Sequence, residues 1–204
     1  MKKRVTIIDY GMGNILSVKN AIDYLGYKNQ VTNDYKIIRN SELLILPGVG
    51  SFRDAMREIK KFEIDKAIKE SVNKKGKILG ICLGMQLLAL SSVEDGNCKG
   101  IGLVPGKIVK LESIIKKKIP HIGFNSIKTD YFKGLFNGLE KNNFFYFFHS
   151  YFFLPQKTKQ FKFSYCEYGK KFVSSYESSN ICGTQFHPEK SQSNGLKLIK
   201  NFLK

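Results

Sequence analysis

Apolar positions in this chain fall into two registers. Runs that are apolar almost throughout, "VTII" at 5–8, "LLIL" at 43–46 and "KILGI" at 77–81, alternate with longer segments whose apolar residues recur every three or four positions. The first kind fits strands covered on both faces and the second fits helices with one buried stripe. "RVTIIDYG" predicts the first strand. "NILSVKNAIDYLGY" puts Ile15, Val18, Ile22 and Leu25 on one helical face and reaches Gly26, a residue suited to ending a helix. "ELLILPGVGSF" predicts a buried strand stopped by Pro47 and two glycines, and "FRDAMREIKKFEIDKAIKESVNKKG" a mostly helical segment. "KILGI" predicts another buried strand, which runs into Cys82 and a helix over "GMQLLALSS".

The second half changes character. "IGLVPGKIVKLE", "HIGFNSIK", "NNFFYFFHSYFFL", "FKFSYCEY", "KFVSSYES" and "ICGTQFHP" are aromatic and β-branched, are separated by turn residues, and predict further strands. "SNGLKLIKNFLK" closes as a short amphipathic helix. The expected architecture is α/β: a central mixed, mostly parallel sheet flanked by helices. With 204 residues and no internal repeat or linker, one domain over 1–204 is expected.

Composition narrows the function. No apolar run approaches the roughly 20 residues of a membrane span. The stretch before Asp9 lacks a signal-peptide core and cleavage site, so a cytoplasmic protein with no membrane partner is expected. The net charge is +17, yet of 34 basic residues only four are arginine, and the lysines are dispersed along the chain. Arginine is the residue suited to bidentate phosphate and base recognition. A solvated lysine surface is therefore expected rather than a nucleic-acid partner. Four cysteines without a CxxC pair and three histidines suggest neither a zinc site nor disulfides; no metal or cofactor is expected. "GMGN" at 11–14 lacks the third glycine of a dinucleotide fingerprint, since Leu16 stands there.

The chemistry concentrates at "GICLGMQLLA". Strand, then Gly-x-Cys-x-Gly, then helix is the layout of a nucleophile elbow with cysteine in the serine position. Gly80 and Gly84 leave room for a sharp turn, and the helix N-terminus favours the thiolate of Cys82. "GTQFHPE" supplies a base, His187, with Glu189 two positions on, so an extended backbone aims both the same way and the carboxylate orients the imidazole. "PGVG", Pro47 to Gly50, reads as a loop whose Gly48, Val49 and Gly50 present backbone N–H groups to a developing negative charge. Cys98, Cys166, Cys182 and His121 read as packing residues.

The motifs "DYGMGN", "LPGVGSF", "GICLGMQLL", "GLVPGKI", "IPHIGFN", "FYFFHSY" and "GTQFHPEKSQ", in that order from end to end, resemble those of the class I, triad-type glutamine amidotransferases. Within that class they most resemble the glutaminase-subunit family of imidazole glycerol phosphate synthase. The resemblance implies Cys82 as nucleophile, His187 as base, Glu189 as its orienter, and Gly50 and Leu83 as oxyanion N–H donors. It further implies Gln86 and the segment His149, Ser150, Tyr151 near bound L-glutamine. Asn14, Phe124, Asn125 and Lys190 would face a (β/α)₈ cyclase subunit in a heterodimer. The implied reaction releases glutamate and ammonia, the ammonia being channelled to the cyclase for histidine biosynthesis. One position departs from the family: Phe124 stands where tryptophan is usual, and the indole N–H is lost. A paralogue feeding ammonia to a sugar amidotransferase of surface-polysaccharide synthesis is the alternative.

Overall fold

The computed structural model describes residues 4–111, 117–131, 133–140 and 143–204. The ends of two expected strands, residue 112 of "IGLVPGKIVKLE" and residue 142 of "NNFFYFFHSYFFL", lie outside the described residues. The buried runs become β1 (Val5–Ile8), β3 (Leu43–Gly48) and β4 (Lys77–Cys82), and the C-terminal "ICGT" becomes β13 (Ile181–Thr184). With β2 (Asn29–Thr32) they form a parallel half-sheet ordered β2-β1-β3-β4-β13. Antiparallel strands β12 (Lys171–Glu177), β11 (Lys162–Glu167), β8 (His121–Lys128) and β9 (Asn143–His149) extend it to nine strands. The mixed sheet is thus as expected. A smaller sheet packs against it: β10 (Tyr151–Pro155), β7 (Val104–Lys110), β5 (Ala89–Ser92) and β6 (Cys98–Lys99).

Helices cover both faces. On one side α3 (Phe52–Lys61) and α4 (Ile64–Asn73) bury Phe52, Met56, Ile59, Ile64 and Ile68 in a core shared with the small sheet. On the other, α1 (Ile15–Tyr24) and α6 (Gln192–Phe202) bury Val18, Ile22, Leu198 and Phe202. The single helical segment expected over 52–76 is broken between α3 and α4, where Glu63 takes φ 54°. Ile59 and Ile64 lie five residues apart, about 140° around a helix, so an unbroken helix could not aim both stripes at one core. The helix expected after Cys82 is likewise only α5 (Leu83–Leu87), and the chain turns at Leu88 into β5. Leu83 to Ala89 are buried without interruption, and such a run carries no period to separate helix from strand. A further short helix, α2 (Tyr35–Arg39), is capped by Asp34, whose side chain accepts from Ile37 N–H.

Strands β1, β3, β4 and β13 all end at one edge, the carboxyl end of the parallel half-sheet, where open α/β sheets place their ligands.

Candidate active site

Cys82 is the last residue of β4 and the cap of α5, held at φ 54°, ψ −109°. A non-glycine residue there is strained, and strain of this kind persists only where the surroundings enforce it. The surroundings are glycine contacts: a Cβ on Gly84 would lie 1.7 Å from Leu46 O, and one on Gly80 2.7 Å from the backbone of Gly84. The helix start is thereby pressed onto β3, and the Cys82 side chain is lifted into a cavity of about 250 Å³. That is small against the roughly 300–1,000 Å³ of sites for drug-sized ligands and suits a small metabolite.

The segment that carries His187 reaches the cysteine through the sheet. Parallel pairing of β13 with β4 sets Thr184 beside Ile81, so the segment after β13 passes Cys82. His187 and Glu189 are buried, and His187 Nδ1 lies 2.8 Å from Glu189 Oε1. That bond keeps the proton on Nδ1 and leaves Nε2 as the basic nitrogen. Burial opposes charge on the ring, but the neighbouring charges of Cys82 and Glu189 outweigh it and hold the His187 pKa well above its usual value. Nε2 makes no close hydrogen bond among the described residues, and the Cys82 sulfur lies 3.6 Å from Phe148 O. Ser191, also buried, holds the His187 segment: its hydroxyl donates to His187 O at 2.6 Å and accepts Tyr146 N–H at 2.9 Å.

Val49, Gly50, Leu83, Gln86, His149, Ser150 and Tyr151 line the same cavity. Gly48 does not. It lies behind the wall, where a Cβ would come within 2.3 Å of the Tyr10 hydroxyl, and its contribution is closeness of packing. The Val49 N–H is bonded to Met12 O at 3.4 Å, so it is turned away from the thiol. Glu94, which the sequence did not single out, also lines the cavity; burial raises its pKa, and Phe52 N–H, 3.0 Å from Oε2, opposes the rise.

His149 belongs to a directional chain. Its Nδ1 is 2.8 Å from Tyr151 O, an acceptor only, so Nδ1 carries the proton and Nε2 accepts from His121 Nδ1 at 3.1 Å. His121 Nε2 then accepts from Asn125 Nδ2 at 3.4 Å. Asn125, expected on the partner surface, is half-buried, and its side chain bonds His121, Glu167 O and Ser126 N–H. The reason is strand alternation, which turns residue 125 to the face opposite Phe124. Phe124, half exposed, meets Tyr146 edge-on at 5.6 Å, and Lys190 Nζ stands 5.9 Å above the same ring. Asn14, at the cap of α1, makes no capping bond with its side chain, and α1 packs beside the Pro188–Lys190 turn.

Burial lowers the pKa of His121 to about 4, helped by Lys117, and that of His149 to about 3. Unfolded histidine titrates near 6.5, so between these values the unfolded chain binds more protons than the folded one. Stability from the neutral pair is complete above about pH 6.5 and is lost as pH falls toward 4. Urea midpoints should drop across this window, and a His121→Gln/His149→Gln chain should show a flatter profile; equal slopes would remove the pair from the acid response.

A strained cysteine elbow, a buried His187–Glu189 pair and a mixed sheet thus meet in one domain, and the comparisons give its class. The family model for glutamine amidotransferase class-I matches residues 6–204, and the chain belongs to that family. It is 41% identical over 200 residues to the imidazole glycerol phosphate synthase subunit HisH of Aquifex aeolicus, covering 98% of this chain and 95% of that one. Against HisH 2 of Methanococcus maripaludis it is 45% identical over 201 residues, covering 98% of each. Within the class, it is therefore a member of the HisH family of synthase subunits. Among solved structures, PurLQS from Thermotoga maritima shares the fold with TM-score 0.77 at 18% identity, over 100% of this chain and 98% of that one.

Proposed function

We propose that the chain hydrolyses L-glutamine to L-glutamate and ammonia as the cytoplasmic glutaminase subunit of an imidazole glycerol phosphate synthase, delivering the ammonia to a (β/α)₈ cyclase bound as a heterodimer. The observation that carries this reading is the strained Cys82 elbow beside the buried His187–Glu189 pair. His187 Nε2 takes the thiol proton, the thiolate attacks the side-chain amide carbon, and Leu83 N–H with the Val49–Gly50 segment holds the oxyanion. His187 then protonates the departing ammonia, and a γ-glutamyl thioester remains. Water, deprotonated by the same ring, cleaves the thioester to glutamate and restores the thiol. Glu94 is placed to take the substrate's α-ammonium.

The turned-away Val49 N–H predicts a slow free subunit, because the oxyanion loop must rotate before it can donate. The partner surface adjoins the base: Tyr146 O accepts His187 N–H at 2.8 Å while its ring meets Phe124 and Lys190. The test is glutamate release by the chain alone and with the cyclase and its nucleotide substrate. At least tenfold faster release in the complex is expected; an equally fast free chain would contradict the loop assignment. Lys190→Glu should weaken the complex about tenfold or more, at about 1.4 kcal/mol per decade, by calorimetric titration; an unchanged Kd would take Lys190 off the surface.

Phe124 in place of the usual tryptophan favours a second reading, delivery to a sugar amidotransferase. Growth of a histidine auxotroph supplied with this chain and the cognate cyclase at low ammonia separates the two.

A further inference from the structure

Gln185 is wholly buried and lies between the two catalytic segments, immediately after β13 and two residues before His187. Its backbone is tied to β12 through N–H to Ser174 O at 2.8 Å. A buried primary amide is costly unless both its ends are used. Here Oε1 accepts from Gln86 Nε2 at 2.9 Å, and Nε2 faces Cys82 Sγ at 3.8 Å, within reach of a bond to sulfur.

The orientation follows from the neighbours. Gln86 bonds Tyr151 O at 3.0 Å, and a carbonyl oxygen only accepts, so that end of Gln86 is its nitrogen. With one Nε2 hydrogen on Tyr151 O and the other on Gln185, the atom of Gln185 meeting it must be the oxygen. The NH₂ of Gln185 is therefore turned to the sulfur, since a flipped amide would oppose two nitrogens. A second polar contact of the sulfur, Phe148 O at 3.6 Å, is an acceptor and can bond only a protonated sulfur.

We propose that Gln185 is a further catalytic residue, the N–H donor that holds the Cys82 sulfur as thiolate once its proton has passed to His187. The carbonyl of Phe148 holds the thiol in the resting state, and the amide of Gln185, anchored through Gln86 to the Tyr151 carbonyl, holds the anion. A donor to the charged form favours that form. The titratable groups around the sulfur are His187 on the segment after β13, Tyr10 beyond β1, Glu94 in the wall of the same cavity and, through His187, Glu189 and His149 at the end of β9. All five are retained in the variants below.

The proposal rests on Cys82 as nucleophile, and its test needs no glutamine turnover, so the two can fail separately. Alkylation of the full chain by iodoacetamide is followed against pH, with Cys82→Ala as the blank for the other cysteines. Gln185→Met, of similar length and without a donor, should raise the midpoint of the Cys82 profile by about one unit, making alkylation at neutral pH about tenfold slower. Gln185→Glu, which sets an acceptor against the sulfur, should move it at least as far. In unaltered protein the side-chain amide resonance of Gln185 should titrate with the Cys82 midpoint, a readout independent of whether the variants fold. A folded Gln185→Met chain with an unmoved midpoint, or an amide resonance indifferent to the thiol, would overturn the proposal.

Discussion

Cys82→Ala is expected to abolish glutamine hydrolysis while leaving ammonia-driven synthesis by the complex untouched. Losing a triad nucleophile costs on the order of 10⁴-fold or more in kcat, because the partners of a triad act as a unit. The substitution removes one sulfur atom from a nearly buried position and relieves none of the packing that shapes the elbow, since Gly80 and Gly84 stay in place. Binding of the cyclase should therefore be unchanged. Glutamate release and product formation from added ammonium are measured in the same preparation. Release at the unaltered rate would remove Cys82 as nucleophile, and loss of both activities would mean that the variant damages the assembly.

Gly84→Ala should have the largest structural effect of any single methyl group near the site. Its Cβ would lie 1.7 Å from the carbonyl oxygen of Leu46 and 2.8 Å from the carbonyl carbon, both backbone atoms of a central strand. Neither atom can rotate aside, so β3 or the start of α5 has to move, and either shift reaches Cys82. Overpacking in a close-packed interior costs about 1–3 kcal/mol where side chains can adjust; against fixed backbone a loss of about 3 kcal/mol or more is expected, read from the denaturant midpoint. Gly102→Ala is the control: an added Cβ there has nothing within 4 Å, although φ is +83° and a smaller strain remains. Gly84 carries no positive φ, so equal destabilisation by the two would show that the contact with Leu46 is relieved at little cost and does not fix the approach of α5 to β3.

The parts of the fold legible in the sequence are those whose burial is local. β1, β3 and β4 are covered on both faces and read as unbroken apolar runs. β2 passed unseen because it is an edge strand, "NQVT", only partly buried and without an apolar run, and α2 because five residues carry no period. The division of α3 from α4 depends on a core that only the folded chain assembles. The site divides in the same way. Cys82 is marked by its flanking glycines, and His187 and Glu189 by a spacing of two residues. Gln185 stands 103 positions from Cys82, and Ser191 45 from Tyr146, so their contacts exist only through strand register. Asn125 shows a related gap, because a motif places a residue in a strand without saying which face its side chain takes. Acidic residues are ordinary at surfaces, and nothing local marks Glu94 as part of a cavity wall.

The central claim is that Cys82, activated by His187, attacks the side-chain carbonyl of glutamine. The most direct measurement is labelling of the full chain with a chloroketone or diazoketone analogue of glutamine, followed by peptide mass spectrometry. One adduct per chain on Cys82 is predicted, formed more slowly in His187→Gln and suppressed by excess L-glutamine. Labelling of Cys98, Cys166 or Cys182 in its place, or labelling of Cys82 that glutamine does not suppress, would contradict the account.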